Sequence, residues 1–127
     1  MRYYFSVMIL PILFLVNINL VNAETQGDSS MGNDSFSNIC AICHGTEGKG
    51  DGPAGAALDP KPRDLSDGTY VSTLTDEYLF MVIKEGGASQ GKSAAMPPWG
   101  GSLSDEQIWN VVAHLRENVC KCQHSGN

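Results

Sequence analysis

The chain has 127 residues, with 8 basic and 14 acidic side chains and a net charge of −6 at pH 7. This balance argues against nucleic acid as a partner, because phosphate binding needs a basic surface. The length suffices for one small domain with one core and is too short for two. Four cysteines in so short a chain indicate covalent or metal chemistry.

Segment 1–23 has the layout of a secretory signal peptide. Arg2 precedes an apolar run over residues 5–16, and the segment ends with the small residue Ala23. An uncleaved membrane anchor would need roughly 20 apolar residues, and Pro11 interrupts this run. We therefore expect cleavage after Ala23 and export to a periplasm, with no stable membrane insertion afterwards. Losing Arg2 makes the mature protein one charge more negative.

Cys40, Cys43 and His44 form a C-x-x-C-H motif, the attachment signature of a c-type haem. Residues three apart share one face of a helical turn, so both sulfurs can reach the two vinyl groups of one porphyrin and form thioethers. His44 then offers an imidazole nitrogen to the iron. The motif predicts one covalently attached haem c, bound by Cys40 and Cys43, with His44 as the proximal metal ligand.

Cys40 and Cys43 could have three other roles. A thioredoxin-like dithiol needs a βαβ context, and the chain has almost no strand-like alternation. A zinc site could add Cys120 and Cys122, but C-x-x-C separated by 76 residues from C-x-C is not a familiar ligand spacing. A disulfide between Cys40 and Cys43 would leave His44 without a role.

A low-spin electron carrier needs a second strong iron ligand, and the His/Met combination raises the reduction potential. Met96 lies in a loop of small residues and precedes Pro97, which favours an extended backbone that can direct a thioether at the ring. Met96 is therefore the predicted second metal ligand. The weaker candidates are Met81 and His114 in predicted helices, and Met31 and His124 in polar terminal segments.

Helical spacing predicts two helices in the second half of the chain. Thr75 is the expected N-cap of a helix over residues 76–84, which ends at a Gly-Gly pair. Ser104 and Gln107 fit a capping box. Apolar residues at helical spacing follow from 108 to 119, so the last helix is expected to end near residue 119.

Residues 32–116 resemble the class I c-type cytochromes. The resemblance is carried by the C-x-x-C-H motif, by the Met96-Pro97 loop, and by Gly32 and Phe36, which stand eight and four positions before the first Cys. It implies an all-α cytochrome c fold, with three to four helices around one haem. The N- and C-terminal helices of such a fold cross, and Gly32 permits their close approach.

The resemblance also implies domain boundaries. The cytochrome c domain is expected over residues 32–119. A flexible segment over 24–31 would precede it, and a polar tail over 120–127 would follow it.

Further roles follow from the same resemblance. His114 stands where many relatives have tyrosine, which implies packing at the helix crossing. A proline carbonyl after the motif orients the proximal histidine in the family, and Pro53 is the expected residue, with Pro60 as the alternative. Arg63 and Trp99 correspond to donors to the haem propionates, or else serve in ion pairing and core packing.

Cys120 and Cys122 have no place in the family pattern. They could form a short-loop disulfide, link two chains or remain thiols. Their spacing alone does not choose among these states.

Together these features predict an electron-transfer protein that is not an enzyme. It would act as a monomer that meets redox protein donors and acceptors transiently. Its net charge favours a partner with a basic or neutral face. The alternatives are a haem-carrying subunit of a periplasmic dehydrogenase or oxidase, and a ligand-binding haem enzyme or sensor with an open sixth position.

Overall fold

Residues 26–126, which the computed structural model of the protein describes, contain helices and no strands. This confirms the all-α prediction. The predicted signal segment 1–23 lies outside the described residues. Within the described range, no helix has the length and apolar character that crossing a membrane requires.

Five α-helical segments build the fold. The first two belong to one continuous N-terminal helix, because a π-helical stretch, Phe36–Cys40, joins them. A second π-helical stretch, Leu115–Val119, extends the last helix. The segments are α1 (Ser29–Ser35), α2 (Ala41–His44), α3 (Gly68–Val71), α4 (Asp76–Glu85) and α5 (Asp105–His114).

The N-terminal helix begins at Ser29, whereas the sequence predicted a flexible segment up to residue 31. The Asp28 carboxylate accepts hydrogen bonds from the backbone N–H groups of Ser30, at 2.8 Å, and Met31, at 3.2 Å. Such an N-cap stabilises the first turn. The Asp28 N–H also donates to Oδ1 of Asn110 on α5, at 2.7 Å. Packing against α5 therefore begins before the boundary predicted at residue 32.

Gly32 lies where the N-terminal helix meets α5, as predicted. A Cβ at this position would be 1.9 Å from the carbonyl oxygen of Asn110 and 2.9 Å from Cβ of His114. Phe36 is 1% exposed, and its ring centroid lies 5.2 Å from that of His114. The expected packing role of His114 at this contact is thus confirmed.

The predicted helix caps are also observed. The Thr75 hydroxyl accepts a hydrogen bond from the Tyr78 N–H at 3.0 Å, at the start of α4. At the start of α5, Ser104 and Gln107 exchange the two bonds of a capping box, at 2.9 and 3.2 Å. These caps fix where the two helices begin on either side of the Met96 loop.

Arg116 is a buried charge that the sequence did not single out. It is fully enclosed, and its Nε donates to the Asp76 carboxylate at 2.7 Å. Its two remaining nitrogens donate to the carbonyl oxygens of Val71, at 2.9 Å, and Leu74. Burying an unpaired charge costs free energy, and these hydrogen bonds offset that cost for the Arg116 guanidinium. Arg116 thereby links the last helix to α3, to α4 and to the loop between them.

The C-terminal tail is part of the domain, in contrast to the predicted boundary at residue 120. Cys120 and Cys122 form a disulfide, one of the three states that the sequence left open. Cys120 is 9% exposed and belongs to the core. Beyond the disulfide, the Ser125 N–H donates to the carbonyl oxygen of Ser72 at 2.8 Å, so the tail folds back beside α3.

Candidate cofactor site

A cavity of about 390 Å³ opens beside α2, α4 and the Met96 loop. Its volume falls in the range of cofactor and ligand sites. Its walls are mainly apolar, and such walls exclude water and favour an apolar occupant. The aliphatic lining residues include Ile39, Leu58, Leu65, Leu74, Leu79, Val82, Ile83, Val111 and Leu115.

Cys40, Cys43 and His44 all line this cavity. The two cysteines are free thiols. Burial, with the neighbouring Cys43, raises the pKa of the Cys40 thiol from 9.0 to about 11. A redox-active dithiol needs the opposite shift, since the thiolate is the reactive form. The site therefore disfavours a thioredoxin-like role and leaves two sulfurs for covalent attachment.

The surroundings of His44 favour its uncharged form. Burial lowers the pKa of the imidazole, and the backbone of Arg63 offsets part of this shift. No hydrogen bond of ordinary geometry reaches Nδ1, which is buried without a partner. A neutral imidazole is the form that binds a metal ion. Burial of His44 thus favours the protonation state that an iron ligand requires.

Among backbone groups, that of Arg63 raises the pKa of His44, and Nδ1 forms no hydrogen bond with Pro53 or Pro60. The hydrogen bond expected between His44 and a proline carbonyl is thus not observed among the described residues. The glycine-rich loop instead directs N–H groups at the end of α2. The bonds are Gly50 N–H to His44 O at 2.7 Å, Gly52 N–H to Cys43 O at 3.1 Å and Ala54 N–H to Ile42 O at 2.9 Å.

These bonds hold the C-x-x-C-H turn in place. They satisfy carbonyl groups that the end of a helix leaves without partners. A Cβ at Gly52 would lie 2.5 Å from the carbonyl oxygen of Ala41, so the close approach needs glycine. Pro53 lies on the exposed outer side of this loop.

The Met96 loop is fastened to the end of α4. The Gly87 N–H donates to the carbonyl oxygen of Met96 at 3.0 Å, and the Trp99 N–H donates to that of Ile83 at 3.0 Å. A Cβ at Gly87 would lie 2.3 Å from the carbonyl oxygen of Ser93, which explains glycine there. Met96 is half-buried and lines the cavity.

The other candidate ligands in the described range lie elsewhere. Met31 is 59% exposed and Met81 is 39% exposed, and neither lines the cavity. His114 packs against Phe36 at the helix contact. Nδ1 of His124 lies 3.1 Å from the carbonyl oxygen of Ser72 in the tail. Of the predicted candidates, Met96 alone shares the cavity with the C-x-x-C-H motif.

Arg63 and Trp99 line the cavity, where both could donate hydrogen bonds to carboxylates. The Arg63 guanidinium also lies over the Tyr70 ring, 3.7 Å from its centroid. Sequence reasoning missed two exposed cations of the same lining, Lys61 and Lys92. Lys61 lies two positions before Arg63 in the sequence, and Lys92 lies four positions before Met96. This proximity to residues already assigned to the site could have identified both lysines.

A zinc site is not supported. Cys120 and Cys122 are bonded to each other in a disulfide, so their sulfurs are not available as zinc ligands. Residues 26–126 contain no group of three or more His, Cys, Asp or Glu side chains placed to hold a metal ion. An apolar cavity with two thiols, a neutral imidazole and a thioether fits haem c instead.

The chain is similar to known proteins in sequence and in fold. The family described as cytochrome c oxidase, cbb3-type, subunit III matches residues 28–115. Cytochrome c6 of Bryopsis maxima is 32% identical over 93 residues, which cover 73% of this chain and 94% of the relative. Cytochrome c-554(548) of Halomonas halodenitrificans is 31% identical over 88 residues, which cover 69% of this chain and 93% of the relative.

A solved structure shows the same fold within a larger protein. A chain of the reducing HAO-like protein complex of Kuenenia stuttgartiensis superposes with a TM-score of 0.59 at 28% identity. The match covers 72% of this chain and 43% of that longer one. By the length and identity of these matches and by its helical fold, the chain belongs to the c-type cytochrome family, as a haem-binding electron-transfer cytochrome.

Proposed function

We propose that this protein is an exported mono-haem cytochrome that shuttles single electrons between redox proteins in a periplasm. Cys40 and Cys43 would form the two thioethers, and His44 and Met96 would bind the iron. One observation carries this assignment: Met96 is the candidate ligand that lines the same cavity as the C-x-x-C-H motif. The protein would carry electrons without converting a substrate, and it would act as a monomer.

The chain's own residues set the conditions for electron transfer. When bound, haem c supplies an iron that cycles between the ferric and ferrous states. The aliphatic walls exclude water, which disfavours the additional positive charge of ferric iron. A Met96 thioether bound to the iron would shift the preference further toward the ferrous state. Arg63 and Trp99 would donate hydrogen bonds to the propionates and so fix the orientation of the ring.

Replacing Met96 with alanine tests the sixth ligand. We expect the midpoint potential to fall by on the order of 0.1 V, within the ~0.8 V range that axial ligands control. The ferric protein should lose its weak near-infrared Met-to-iron band and bind cyanide readily, because the sixth position is open. Potentiometry and absorption spectroscopy measure these changes.

Met81→Ala is the matched control, since Met81 is 39% exposed and lies outside the cavity. It should keep the potential and the near-infrared band of the unmodified protein. An unchanged potential in Met96→Ala would reject Met96 as the ligand. Ready cyanide binding by the unmodified protein would favour the enzyme or sensor alternative.

A role as the haem-carrying subunit of a larger enzyme is the second candidate. It is favoured by the family match to an oxidase subunit and by the likeness to a chain of a multiprotein complex. Size-exclusion chromatography of extracts distinguishes a free electron carrier from a subunit of a larger enzyme. A free monomer supports the carrier, and elution only within a stable complex supports the subunit.

A further inference from the structure

The disulfide between Cys120 and Cys122 joins no distant segments of the chain. The two residues are only two positions apart, so the bond closes a very short loop. The stabilisation that a disulfide provides by restricting the unfolded chain is smallest for short loops. Backbone hydrogen bonds hold the same segment independently: the Cys122 N–H donates to the carbonyl oxygen of Arg116 at 3.0 Å, and the Ser125 N–H to that of Ser72 at 2.8 Å. The tail would therefore keep these contacts with the domain if the disulfide were reduced.

The groups around the two sulfurs suit thiols better than a disulfide. Nη1 of Arg116 lies 3.8 Å from Sγ of Cys122. Sγ of Cys120 lies 3.7 Å from the carbonyl oxygen of Arg116 and 3.6 Å from that of Cys122. A disulfide sulfur has no hydrogen to donate, so these carbonyl groups can accept a hydrogen bond from Cys120 only after reduction. Each sulfur thus lies beside a partner for its reduced form.

The Arg116 guanidinium favours a negative charge on Cys122. Its Nε donates to the Asp76 carboxylate at 2.7 Å, and its Nη1 is shared between the carbonyl oxygen of Val71, at 2.9 Å, and Sγ of Cys122. Hydrogen bonds from arginine to an ionised acceptor are stronger than those to a neutral one. A neighbouring arginine also stabilises the thiolate form of a cysteine. Reduction would therefore strengthen the contact between Arg116 and Cys122.

The backbone between the two cysteines also favours reduction. Lys121 has a φ of 51°, in the left-handed region that residues with a Cβ rarely adopt. It is the one residue other than glycine with a positive φ within the range 26–126. Breaking the S–S bond would release Lys121 to an ordinary backbone conformation.

We propose that Cys120 and Cys122 form a second redox site, which exchanges two electrons with a dithiol. Cys122 is half-buried, whereas Cys120 is 9% exposed, so Cys122 is the sulfur that a dithiol reaches. Neither cysteine lines the cavity that contains the C-x-x-C-H motif. The inference therefore does not depend on the proposed one-electron chemistry of a haem.

The exchange takes place in two balanced steps. One thiol of the dithiol loses its proton to water and attacks Sγ of Cys122, so the Cys120–Cys122 bond breaks and a mixed disulfide forms. The second thiol gives its proton to the Cys120 sulfur and attacks the partner's own sulfur in the mixed disulfide. This step releases Cys122 as a thiolate beside Arg116. The dithiol is oxidised to a disulfide, and the chain gains two electrons and one proton.

Equilibration with reduced thioredoxin, a dithiol protein, tests the proposal. The haem-loaded protein, with its iron already ferrous, is mixed with thioredoxin under nitrogen, and the thiols of both proteins are alkylated and counted by mass spectrometry. We expect an equilibrium constant of about 10 or more in favour of the reduced chain, because disulfides that exchange readily are more oxidising than thioredoxin and structural ones are less so. A smaller constant, or no reaction, would overturn the proposal.

Two substitutions of Lys121 isolate the contribution of the backbone. Lys121→Gly and Lys121→Ala remove the same charge, but only glycine adopts a positive φ freely. The oxidised form of Lys121→Gly should therefore be favoured, and its equilibrium constant with thioredoxin should be about fivefold lower than that of Lys121→Ala, at the low end of the cost of a left-handed residue. Equal constants in the two variants would contradict a backbone that favours reduction.

Alkylation of the reduced protein tests the role of Arg116. Iodoacetamide should modify Cys122 before Cys120, and the reaction of Cys122 should remain fast at about pH 6, where an ordinary thiol is protonated. A Cys122 reaction that is as slow at this pH as that of an ordinary thiol would contradict the stabilisation of its thiolate. Absence of covalently bound haem would instead reject the proposed function and leave this inference intact.

Discussion

Replacing His44 with glycine should abolish the low-spin spectrum, because the change removes the proximal ligand. His44 lines the cavity directly after Cys43, and burial lowers the pKa of its imidazole, which favours the neutral form that binds a metal ion. Added imidazole should occupy the space left by the side chain and restore the low-spin bands. Absorption spectra of the variant with and without imidazole measure both effects.

His124→Gly is the control for this prediction. His124 is exposed in the tail and lies outside the cavity. Its loss should leave the spectrum unchanged. A His44→Gly protein that keeps its low-spin spectrum in the absence of imidazole would refute the axial assignment.

Replacing Gly32 with alanine should cause the largest loss of stability, about 3 kcal/mol, at the upper end of the cost of overpacking. The new Cβ would lie 1.9 Å from the backbone carbonyl oxygen of Asn110, and backbone atoms cannot rotate away as a side chain can. Helix propensity alone predicts the opposite, a gain of up to ~1 kcal/mol. The sign of the change therefore shows whether the helix contact dominates.

Urea unfolding of the haem-loaded protein measures this change. Gly101→Ala is the matched control, since a Cβ there would meet no atom within 4 Å. Its unfolding midpoint should move little. If Gly32→Ala unfolded at the same urea concentration as Gly101→Ala, the close contact between the N-terminal helix and α5 would be disproved.

Local signals in the sequence predicted much of the fold. The caps at Thr75 and Ser104 depend on residues three positions apart, so the sequence was enough to find them. The spacing of Gly32, Phe36 and the first cysteine similarly placed the N-terminal helix in contact with α5. These features are local, or they belong to a pattern that the family shares.

The features that sequence reasoning missed depend on distant partners. Asp28 starts the first helix earlier than predicted, and its N–H is bound by Asn110, 82 positions along the chain. Arg116 has a residue type that is usually exposed, and its hydrogen bonds to the end of α3 and the start of α4 explain its burial. The tail over 120–126 is ordered by its bonds to Ser72 and by its disulfide.

The candidate site likewise has features that the local sequence predicted and features that depend on the path of the chain. The C-x-x-C-H motif and Met96 were predicted from residue types and spacing, and the structure places them around one cavity. The hydrogen bond predicted between Pro53 and His44 is not observed, since the loop that contains Pro53 presents N–H groups to α2 and leaves the proline exposed. Which carbonyl approaches a side chain depends on the path of the loop, and composition does not determine that path.

Covalent attachment of haem through Cys40 and Cys43 is the central claim, and an alkaline pyridine spectrum of the purified protein tests it most directly. The band positions report how many vinyl groups have been converted to thioethers, and the intensity gives the amount of haem. We predict one haem per chain with both vinyl groups converted, which stays with the protein during extraction with acidified organic solvent. Haem that passes into the solvent, or a protein that contains none, would contradict this account.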